Sequence, residues 1–333
     1  MTGQELDDPV VTVVVPMLDE SGFIEDCLEG FAAQTYPLDL LDVVVVDGGS
    51  TDGCRATVDA LALDCPWLRV VDNPARKAAA AFNVGVQAAK GDVVCLFSAH
   101  GVPDPEYVAC SVAVLHESGA VGVGGRYLHI GLDPTSSAIG LAMVSPFGMA
   151  SPHRFAGRRT EVDTISHPAY RRSALAEVGP FDESLERNSD YELNFRLREM
   201  GATLVFDPGV ASVYRPRGSV MALGRQFWWY GRWKERVARR HPGSLKARHL
   251  VAPAAVAGAM LAPVLITVPS GRRLVGLAAM LYAALVGVAV VQARPGEHAA
   301  SAPTLALCFP VMHGAWGAGF LTSLVEDSLR GGW

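Results

Sequence analysis

The side chains that could carry chemistry stand directly after apolar runs of this sequence. Asp47 follows the run VVVV, and Ser98 and His100 follow VVCLF. A carboxylate accepts hydrogen bonds or a proton, and an imidazole binds a metal ion or donates a hydrogen bond to an anion. Each residue could instead be a turn residue at the end of a strand. The elements that position these residues must decide between the two interpretations.

The first hundred residues alternate between apolar runs of strand length and segments of helical length. The predicted strands are Val10–Val15, Val43–Val46, Leu68–Val71 and Val93–Phe97, and helices are predicted over residues 21–34, 54–63 and 77–89. Strands separated by helices of this size indicate a parallel sheet with crossover connections. Ligands of such sheets bind beyond the carboxyl ends of the strands. The predicted strand ends there are followed by Pro16, Glu20, Asp47, Ser98 and His100.

A second and less regular half begins near Pro105. Its segment RNSDYELNFRLREMG predicts a helix over Ser189–Met200 that stops at Gly201. Asp190 falls in the first turn, where an acidic side chain also interacts favourably with the helix dipole. Capping of the helix is therefore the alternative to a catalytic role for Asp190.

Three runs near the C-terminus contain no Asp, Glu, Lys or Arg: Val251–Val268, Leu274–Ala293 and Ala299–Val325. Each approaches or exceeds the roughly 20 apolar residues that span a bilayer, so the runs predict transmembrane helices, with a buried helical hairpin as the alternative. Arg272 and Arg273 separate the first two runs. A plain three-span path would put this pair outside, against the usual distribution of basic residues, so one of these two runs could be re-entrant.

The segment before these runs is basic and aromatic, and Glu235 is its one acidic residue. Its aromatic residues are Phe227, Trp228, Trp229, Tyr230 and Trp233. Such a helix could bind nucleic acid, but its position before an apolar run favours an interfacial helix on anionic lipid. The same basic charge predicts that the preceding domain lies on the cytosolic side.

The bulk composition agrees with a membrane protein that has a cytosolic part. Only 19% of the 333 residues are charged, the net charge is −6 and the mean hydropathy is +0.24. The six cysteines form no CxxC pair, and the N-terminus has no signal peptide pattern. These features predict reduced thiols in a cytosolic compartment.

Several ordered motifs together resemble family 2 glycosyltransferases. They are VTVVVPMLDESGFIEDCLEGFAAQTYP, VVVVDGGSTDG, NPARKAAAAFNVGVQAAKGDVV, GPFDE and RNSDYELNFRLREMG. The resemblance covers Val11–Trp233 and is closest to the membrane-attached, succinoglycan-type branch that builds polysaccharides on lipid carriers. It implies an α/β GT-A fold with a Rossmann-like nucleotide-binding half and an acceptor half. The expected organisation is a cytosolic GT-A domain over residues 1–217, an amphipathic interfacial helix over 218–249 and about three transmembrane segments over 250–333.

The resemblance also assigns roles to individual residues. It assigns the nucleotide base and ribose to Pro16, Glu20 and Asp47, and the same nucleotide half to Asn83 and Gly85. Ser98–His100 stands where the family has its AspxAsp metal motif, and Ser98 departs from that motif. Asp190 occupies the position of the general base, although Ser189 replaces the Glu that usually precedes it.

The expected activity is inverting transfer of a sugar from a UDP- or GDP-sugar to a lipid-linked or glycan acceptor. The expected location is the inner (plasma) membrane, in a multi-pass protein that contacts membrane lipid and no nucleic acid. A divalent metal, Mn2+ or Mg2+, is expected with His100 as a ligand and Ser98 nearby. Alternatively, His100 contacts the phosphates directly and no metal is needed.

Two other classes of protein compete with this interpretation. A degenerate transferase that binds a nucleotide or partner without turnover would account for Ser98 and Ser189. A transporter or membrane scaffold would account for the apolar runs but not for the motifs that precede them. The sequence has neither a nucleophile elbow nor a GxxxxGK[ST] phosphate loop.

Overall fold

A computed structural model describes residues 8–148 and 157–329 of the chain. The chain divides into two compact units, and each of them is assembled from two stretches of sequence. Unit 1 comprises residues 1–128 and 153–214, and unit 2 comprises residues 129–152 and 215–333. Residues 129–152, which lie inside the domain expected over 1–217, thus belong to the second unit.

Unit 1 is built on one mixed β-sheet. Its strands are β1 (Val11–Met17), β2 (Leu41–Asp47), β3 (Leu68–Asp72), β4 (Val93–Leu96), β5 (Gly101–Pro103), β6 (Gly122–His129), β7 (Thr160–Glu161), β8 (Ala169–Arg171) and β9 (Leu204–Tyr214). Its helices are α1 (Ile24–Ala32), α2 (Cys54–Asp64), α3 (Ala78–Ala88), α4 (Tyr107–Ser118), α6 (Arg172–Val178) and α7 (Ser189–Glu199), and the intervening α5 (Pro134–Val144) belongs to unit 2.

The order of the strands in the sheet is β3-β2-β1-β4-β8-β6-β9-β5, with β7 paired to β9. The first four strands are parallel, as the alternation of apolar runs and helices predicts. β8 joins β4 in the antiparallel sense and begins the less regular half. The carboxyl ends of β1, β2 and β4 therefore point the same way, and the predicted site residues follow these ends.

The parallel strands are buried on both faces because helices cover both sides of the sheet. Val13 and Val15 of β1 pack in one core with α1, and Val14 packs in the other core with α3. All three side chains are fully buried. This explains why the strands read as continuous apolar runs and not as alternating patterns.

Unit 2 consists of α5 and four later helices: α8 (Val220–Arg240), α9 (Val251–Leu265), α10 (Pro269–Ala293) and α11 (Ala302–Leu329). Side chains of α5, α8, α10 and α11 form its apolar core. Three helical segments are long and apolar enough to cross a membrane: Ala247–Leu265, Pro269–Ala293 and Ala302–Leu329. The prediction of three apolar C-terminal helices after a basic aromatic helix is thereby confirmed.

Candidate active site

The loops after β1 and β2 are tied together by reciprocal hydrogen bonds. Asp19 Oδ1 accepts from the Thr51 backbone N–H (2.7 Å), and the Asp19 N–H donates to Ser50 Oγ (3.0 Å). Asp52 Oδ2 accepts from the Ser21 N–H (2.8 Å). The acidic residues of both motifs thus fix two strand ends relative to each other.

Asp52 also stands at the start of α2. Its Oδ1 accepts from the backbone N–H of Cys54, the first residue of the helix. The Cys54 thiol and the Ser21 backbone N–H hold the pKa of the Asp52 carboxyl below its usual range. Asp52 is therefore ionised at neutral pH and serves the loop as a structural acceptor.

Asp47 ends β2 and is almost completely buried. Its Oδ1 accepts from both the backbone N–H (3.1 Å) and the hydroxyl (2.6 Å) of Ser50. Its Oδ2 lies 3.3 Å from Arg55 Nη1, and Arg55 also pairs with Asp59 and Asp72. The sequence analysis did not single out Arg55, which holds the carboxylate from the first turn of α2.

Three of the predicted site residues meet at the ends of β1 and β4. Ser98 Oγ lies 2.9 Å from His100 Nε2, and Glu20 Oε1 lies 3.5 Å from His100 Nδ1. The side chains of His100 and Glu20 are 33% and 22% exposed, so the group is accessible. The structure thus joins a carboxylate, an imidazole and a hydroxyl from two predicted motifs.

Aromatic side chains surround His100, and sequence analysis had not found them. The rings of Phe23 and Tyr214 stand edge-on to the imidazole, with centroids 6.3 and 6.0 Å away. Tyr127 packs against Tyr214, 5.4 Å between centroids. These residues lie far apart in sequence, and only the pairing of distant strands brings them together.

A second histidine, His167, lies in this aromatic cluster and is buried. It packs on Phe97 with ring centroids 4.0 Å apart, and its Nδ1 lies 2.8 Å from Ser212 Oγ. Burial, followed by the electrostatic interaction with His100, lowers the pKa of His167 to about 3. His167 is therefore neutral, and the only local signal for it is its place before Pro168 in the segment SHPAY.

Asn83 and Gly85 lie on α3 and make structural contacts. Asn83 Nδ2 donates to the Phe181 carbonyl (3.0 Å) and to Glu183 Oε1 (2.9 Å), and its Oδ1 accepts from the Phe181 N–H. Gly85 lies against Val14 of β1, where an added Cβ would overlap the valine side chain. Their positions in the motif therefore fix α3 to the sheet and to the GPFDE segment.

This packing predicts a stability effect at Gly85. We expect Gly85→Ala to lower the thermal unfolding midpoint in detergent, because overpacking costs about 1–3 kcal/mol and exceeds the gain in helix propensity. Gly22→Ala is the control, since nothing lies within 4 Å of a Cβ there. Equal midpoints for the two variants would contradict the close contact, and partial rescue by Val14→Ala would support it.

Pro16 lies in β1 opposite Val46 of β2, beyond the last residue of β1 that pairs with β4. A proline has no N–H to donate to a ladder, so it fits a strand segment that is paired on only one side. The position leaves this strand end open on the side of Ser98 and His100.

Asp190 lies in the first turn of α7 and is exposed, as the sequence predicted for the helix. Burial and then the negative charge of Asp190 raise the pKa of Tyr170. The Tyr170 hydroxyl donates to Asn194 Oδ1 (2.6 Å), and Asn194 lies one turn after Asp190 on the same face of α7. Tyr170 is opposite Val94 of β4, so Asp190 belongs to the face of α7 turned toward the middle of the sheet.

Few side-chain atoms at the end of β4 could bind a metal ion. In the described parts of the chain, no group of three or more His, Cys, Asp or Glu side chains could hold a metal ion by itself. One imidazole nitrogen and one hydroxyl oxygen stand together at His100 and Ser98. This set fits an ion that takes its other oxygen ligands from a bound diphosphate, since hard divalent ions prefer oxygen.

The family profile described as Glycosyl transferase family 2 matches residues 12–179. The succinoglycan biosynthesis protein ExoA of Rhizobium meliloti (strain 1021) is 32% identical over 339 residues, which cover 99% of each chain. The chain belongs to glycosyltransferase family 2. A second relative is a glucuronosyltransferase of Methanococcus voltae whose name describes a dolichyl phosphate-linked sugar. It is 25% identical, over 69% of this chain and 74% of the relative's chain.

The fold of this family 2 glycosyltransferase also has a solved counterpart. The mannosyltransferase PcManGT of Pyrobaculum calidifontis, determined with GDP-Man and Mn2+, aligns with a TM-score of 0.66 and 22% identity. The alignment covers 96% of this chain and 88% of PcManGT. The GT-A fold predicted from the motifs is thereby confirmed, together with membership of the family and transferase activity.

Within this glycosyltransferase the predicted residues fall into four places. Glu20, Ser98 and His100 form one accessible cluster. Asp47 is buried at the end of β2, and Asp190 lies on α7. Asn83 and Gly85 contact protein groups of the scaffold.

Proposed function

We propose that this glycosyltransferase inverts the anomeric carbon of its donor. It transfers a sugar from a nucleotide diphosphate sugar to a hydroxyl of a lipid-linked or glycan acceptor, at the cytosolic face of the inner membrane. The observation that supports this most is the accessible cluster of Glu20, Ser98 and His100 at the ends of parallel strands. Open α/β sheets bind nucleotides at this edge.

The relatives suggest the classes of donor and acceptor. The Pyrobaculum enzyme was determined with GDP-Man, and the name of the Methanococcus relative contains a dolichyl phosphate-linked sugar. The Rhizobium relative takes part in the biosynthesis of a polysaccharide. These names support a UDP- or GDP-sugar as donor and a lipid-linked glycan as acceptor.

Asp190 is the proposed general base. It takes the proton of the acceptor hydroxyl as the oxygen attacks the anomeric carbon, and the bond to the diphosphate breaks. Inverting transfer needs only this one base. Asp190 is exposed in the first turn of α7, where the helix dipole favours a negative charge.

Asp47 and Glu20 are the proposed nucleotide residues, together with the strand end at Pro16. His100 and Ser98 would hold a divalent ion, of which the donor diphosphate supplies most ligands. Such an ion neutralises the charge that develops on the leaving diphosphate. The rings of Phe23 and Tyr214 stand edge-on to the imidazole of His100 and give it apolar neighbours.

The decisive experiment measures transfer directly. Purified enzyme in detergent is given a panel of UDP- and GDP-sugars with a polyprenyl diphosphate glycan, and release of nucleoside diphosphate is followed. We expect release with one donor and only when the acceptor is present. The anomeric configuration of the product, read by NMR, must be opposite to that of the donor.

Asp47→Asn should mainly weaken donor binding. An amide cannot accept from both Ser50 and Arg55 as the carboxylate does, and hydrogen bonds to charged groups contribute about 1.5–3 kcal/mol. We expect the Kd for the nucleotide to rise about tenfold, with a smaller change of kcat at saturating donor. Titration calorimetry with nucleoside diphosphates measures this.

Asp59→Asn is the matched control for Asp47→Asn. Asp59 is the exposed i+4 partner of the same Arg55, at 2.9 Å. If both variants lose equal affinity, the effect comes from Arg55 and not from the buried carboxylate. An unchanged Kd in Asp47→Asn would refute its role in binding the nucleotide.

A second candidate is a noncatalytic protein that binds nucleotide. The neutral oxygen of Ser98, at the position where a carboxylate is usual, favours it. Nucleotide binding without release of diphosphate in the presence of any acceptor in the panel would support this candidate.

A further inference from the structure

The helices α8 and α11 of unit 2 run side by side in the same direction. Gly224 of α8 lies against Val311 of α11, and Arg239, about four turns later, donates to the Leu324 carbonyl (3.1 Å) and pairs with Asp327 (3.8 Å). The contact therefore extends for about 22 Å along both axes. Helices that touch over this length cross at a small angle, so α8 and α11 share one orientation.

Glycines bring the two backbones into direct contact. A Cβ added at Gly231 of α8 would overlap the Trp316 carbonyl, and one added at Gly319 of α11 would overlap the Trp228 carbonyl. Small residues allow this close approach between helices in membranes and in water. The pair is thus a tightly packed unit and not a loose neighbour contact.

The second half of α8 is too charged to lie in hydrocarbon. Arg232, Lys234, Glu235, Arg236, Arg239 and Arg240 all lie in its last ten residues. A charged side chain is strongly disfavoured at the centre of a membrane helix. These charged residues lie beside Trp316–Asp327 of α11. Arg232 forms a bidentate ion pair with Glu326 (3.1 and 2.6 Å), so this part of α11 lies at the same membrane depth as the charged half of α8. The remaining apolar part, Ala302–Ala315, is only about 21 Å long, which is less than the roughly 30 Å of the hydrocarbon core.

The beginning of α11 is hydrogen-bonded to the beginning of α5. The Ser301 N–H donates to the Pro134 carbonyl (3.1 Å) at the start of α5. Pro134 follows Leu128, the last residue of the first stretch of unit 1, and at most about 20 Å of extended chain connects them. The start of α11 is therefore hydrogen-bonded to a helix that begins six residues after the last residue of that stretch.

We propose that α11 does not cross the membrane and that the hairpin α9–α10 alone spans it. Both helices of the hairpin contact α11, because Gly317 lies against Ala252 near the start of α9 and the Tyr282 hydroxyl, midway along α10, lies 2.9 Å from His313 Nδ1. Only 6% of the residues in each apolar window of the hairpin are buried, against 39% in α11. The occupant of this exposed apolar surface is lipid, whereas a larger share of α11 is buried because α8, α9 and α5 pack on it.

The proposal places Arg272 and Arg273 on the far side of the membrane, as a three-span path also would. The first segment, Ala247–Leu265, is 19 residues long and reaches about 28 Å, enough to bring the turn after it to the far headgroups. Both arginines lie just past that turn and are exposed. At the far interface they can pair with phosphate, whereas in the hydrocarbon core they would be unpaired.

Three exposed serines test the path: Ser173 of α6, Ser270 at the hairpin turn and Ser328 in the last turn of α11. Each is replaced by Cys, and intact cells that express the full chain are treated with a membrane-impermeant maleimide before and after permeabilisation. The unaltered chain, whose six cysteines are free, gives the background. We expect Ser270→Cys to react in intact cells, and Ser173→Cys and Ser328→Cys to react only after permeabilisation.

The outcomes separate the possible paths. Reaction of Ser328→Cys in intact cells, with Ser173→Cys protected, means three spans and overturns the proposal. Protection of Ser270→Cys in intact cells means that the hairpin does not cross, and overturns it as well. An oxidised crosslink in the double variant Gly224→Cys, Val311→Cys checks the helix pair itself, and its absence would remove the basis of the proposal.

The proposal rests on the membrane location in the proposed function but not on the donor, the base or the metal. Labelling reports the path of the chain even when the enzyme is inactive. Loss of transfer with the expected labelling pattern would therefore bear on the proposed function alone.

Discussion

Asp190→Asn should lower kcat by about 100-fold or more while the Kd for the donor nucleotide stays nearly unchanged. The amide has the size of the carboxylate but cannot take a proton from the acceptor hydroxyl. The side chain of Asp190 is exposed, and α7 packs through Leu193 and Leu197, both buried, so the substitution leaves the packing of α7 unchanged. Initial rates at saturating donor and acceptor, with calorimetric titration of the nucleotide, measure the two quantities.

The capping role of Asp190 predicts a different size of effect. A carboxylate in the first turn stabilises a helix by about 0.3–1 kcal/mol, whereas a 100-fold loss of rate is about 2.7 kcal/mol of barrier. Glu25→Gln is a matched control, because Glu25 is exposed in the first turn of α1. If Asp190→Asn and Glu25→Gln show the same small loss of thermal stability and near-normal turnover, Asp190 is not the base.

The sequence predicted the parallel half of the sheet because that half depends on local pattern. β1, β2 and β4 contain the apolar runs VVV, VVVV and VVCL, and helices of 9 to 11 residues lie between the strands of this half. The right-handed crossover rule then brings Asp47, Ser98 and His100 to one edge without knowledge of any contact. The second half could not be predicted in this way, since β5, β7 and β8 have only two or three residues and show no period.

The contacts of single site residues were beyond the sequence for another reason. Glu20 and His100 are far apart in the sequence but lie side by side in the fold, and Tyr214 of β9 contacts the same imidazole. Such approaches depend on loop geometry and strand pairing, which leave no local trace. A motif gave the position of Asn83, but its three hydrogen bonds to the 181–183 segment became visible only in the fold.

In unit 2, too, contacts between residues far apart in the chain could not be predicted from the sequence. The apolar composition predicted three membrane helices, because length and hydropathy are all that the sequence offers. The ion pairs of Arg232 and Arg239 with the end of α11 join residues far apart in the chain. Their effect on the path through the membrane follows only from these pairings.

Removal of divalent metal should produce the other large effect. We expect EDTA to lower transfer by about 100-fold or more, because a bound ion contributes several kcal/mol of charge stabilisation to a leaving diphosphate. Mn2+ should restore activity at lower concentration than Mg2+. Mn2+ is preferred because the imidazole of His100 suits it better than Mg2+ and because Ser98 offers only a neutral oxygen as a ligand.

Ser98→Asp tests where the ion binds. A carboxylate beside His100 adds an anionic oxygen ligand, so the concentration of Mn2+ for half-maximal activity should fall by about tenfold, and the difference between Mg2+ and Mn2+ should narrow. Ser173→Asp, an exposed serine on α6, controls for the added charge. The same measurement on His100→Ala should show weaker activation by Mn2+.

Full activity in EDTA would contradict the metal and favour direct contact of His100 with the diphosphate. In that case Ser98→Asp should lower activity, because a carboxylate would then repel the phosphates that His100 binds. The sign of the Ser98→Asp effect thus separates the two mechanisms: a gain in metal affinity requires an ion at the end of β4, and a loss of donor affinity without any response to Mn2+ requires that none is bound there.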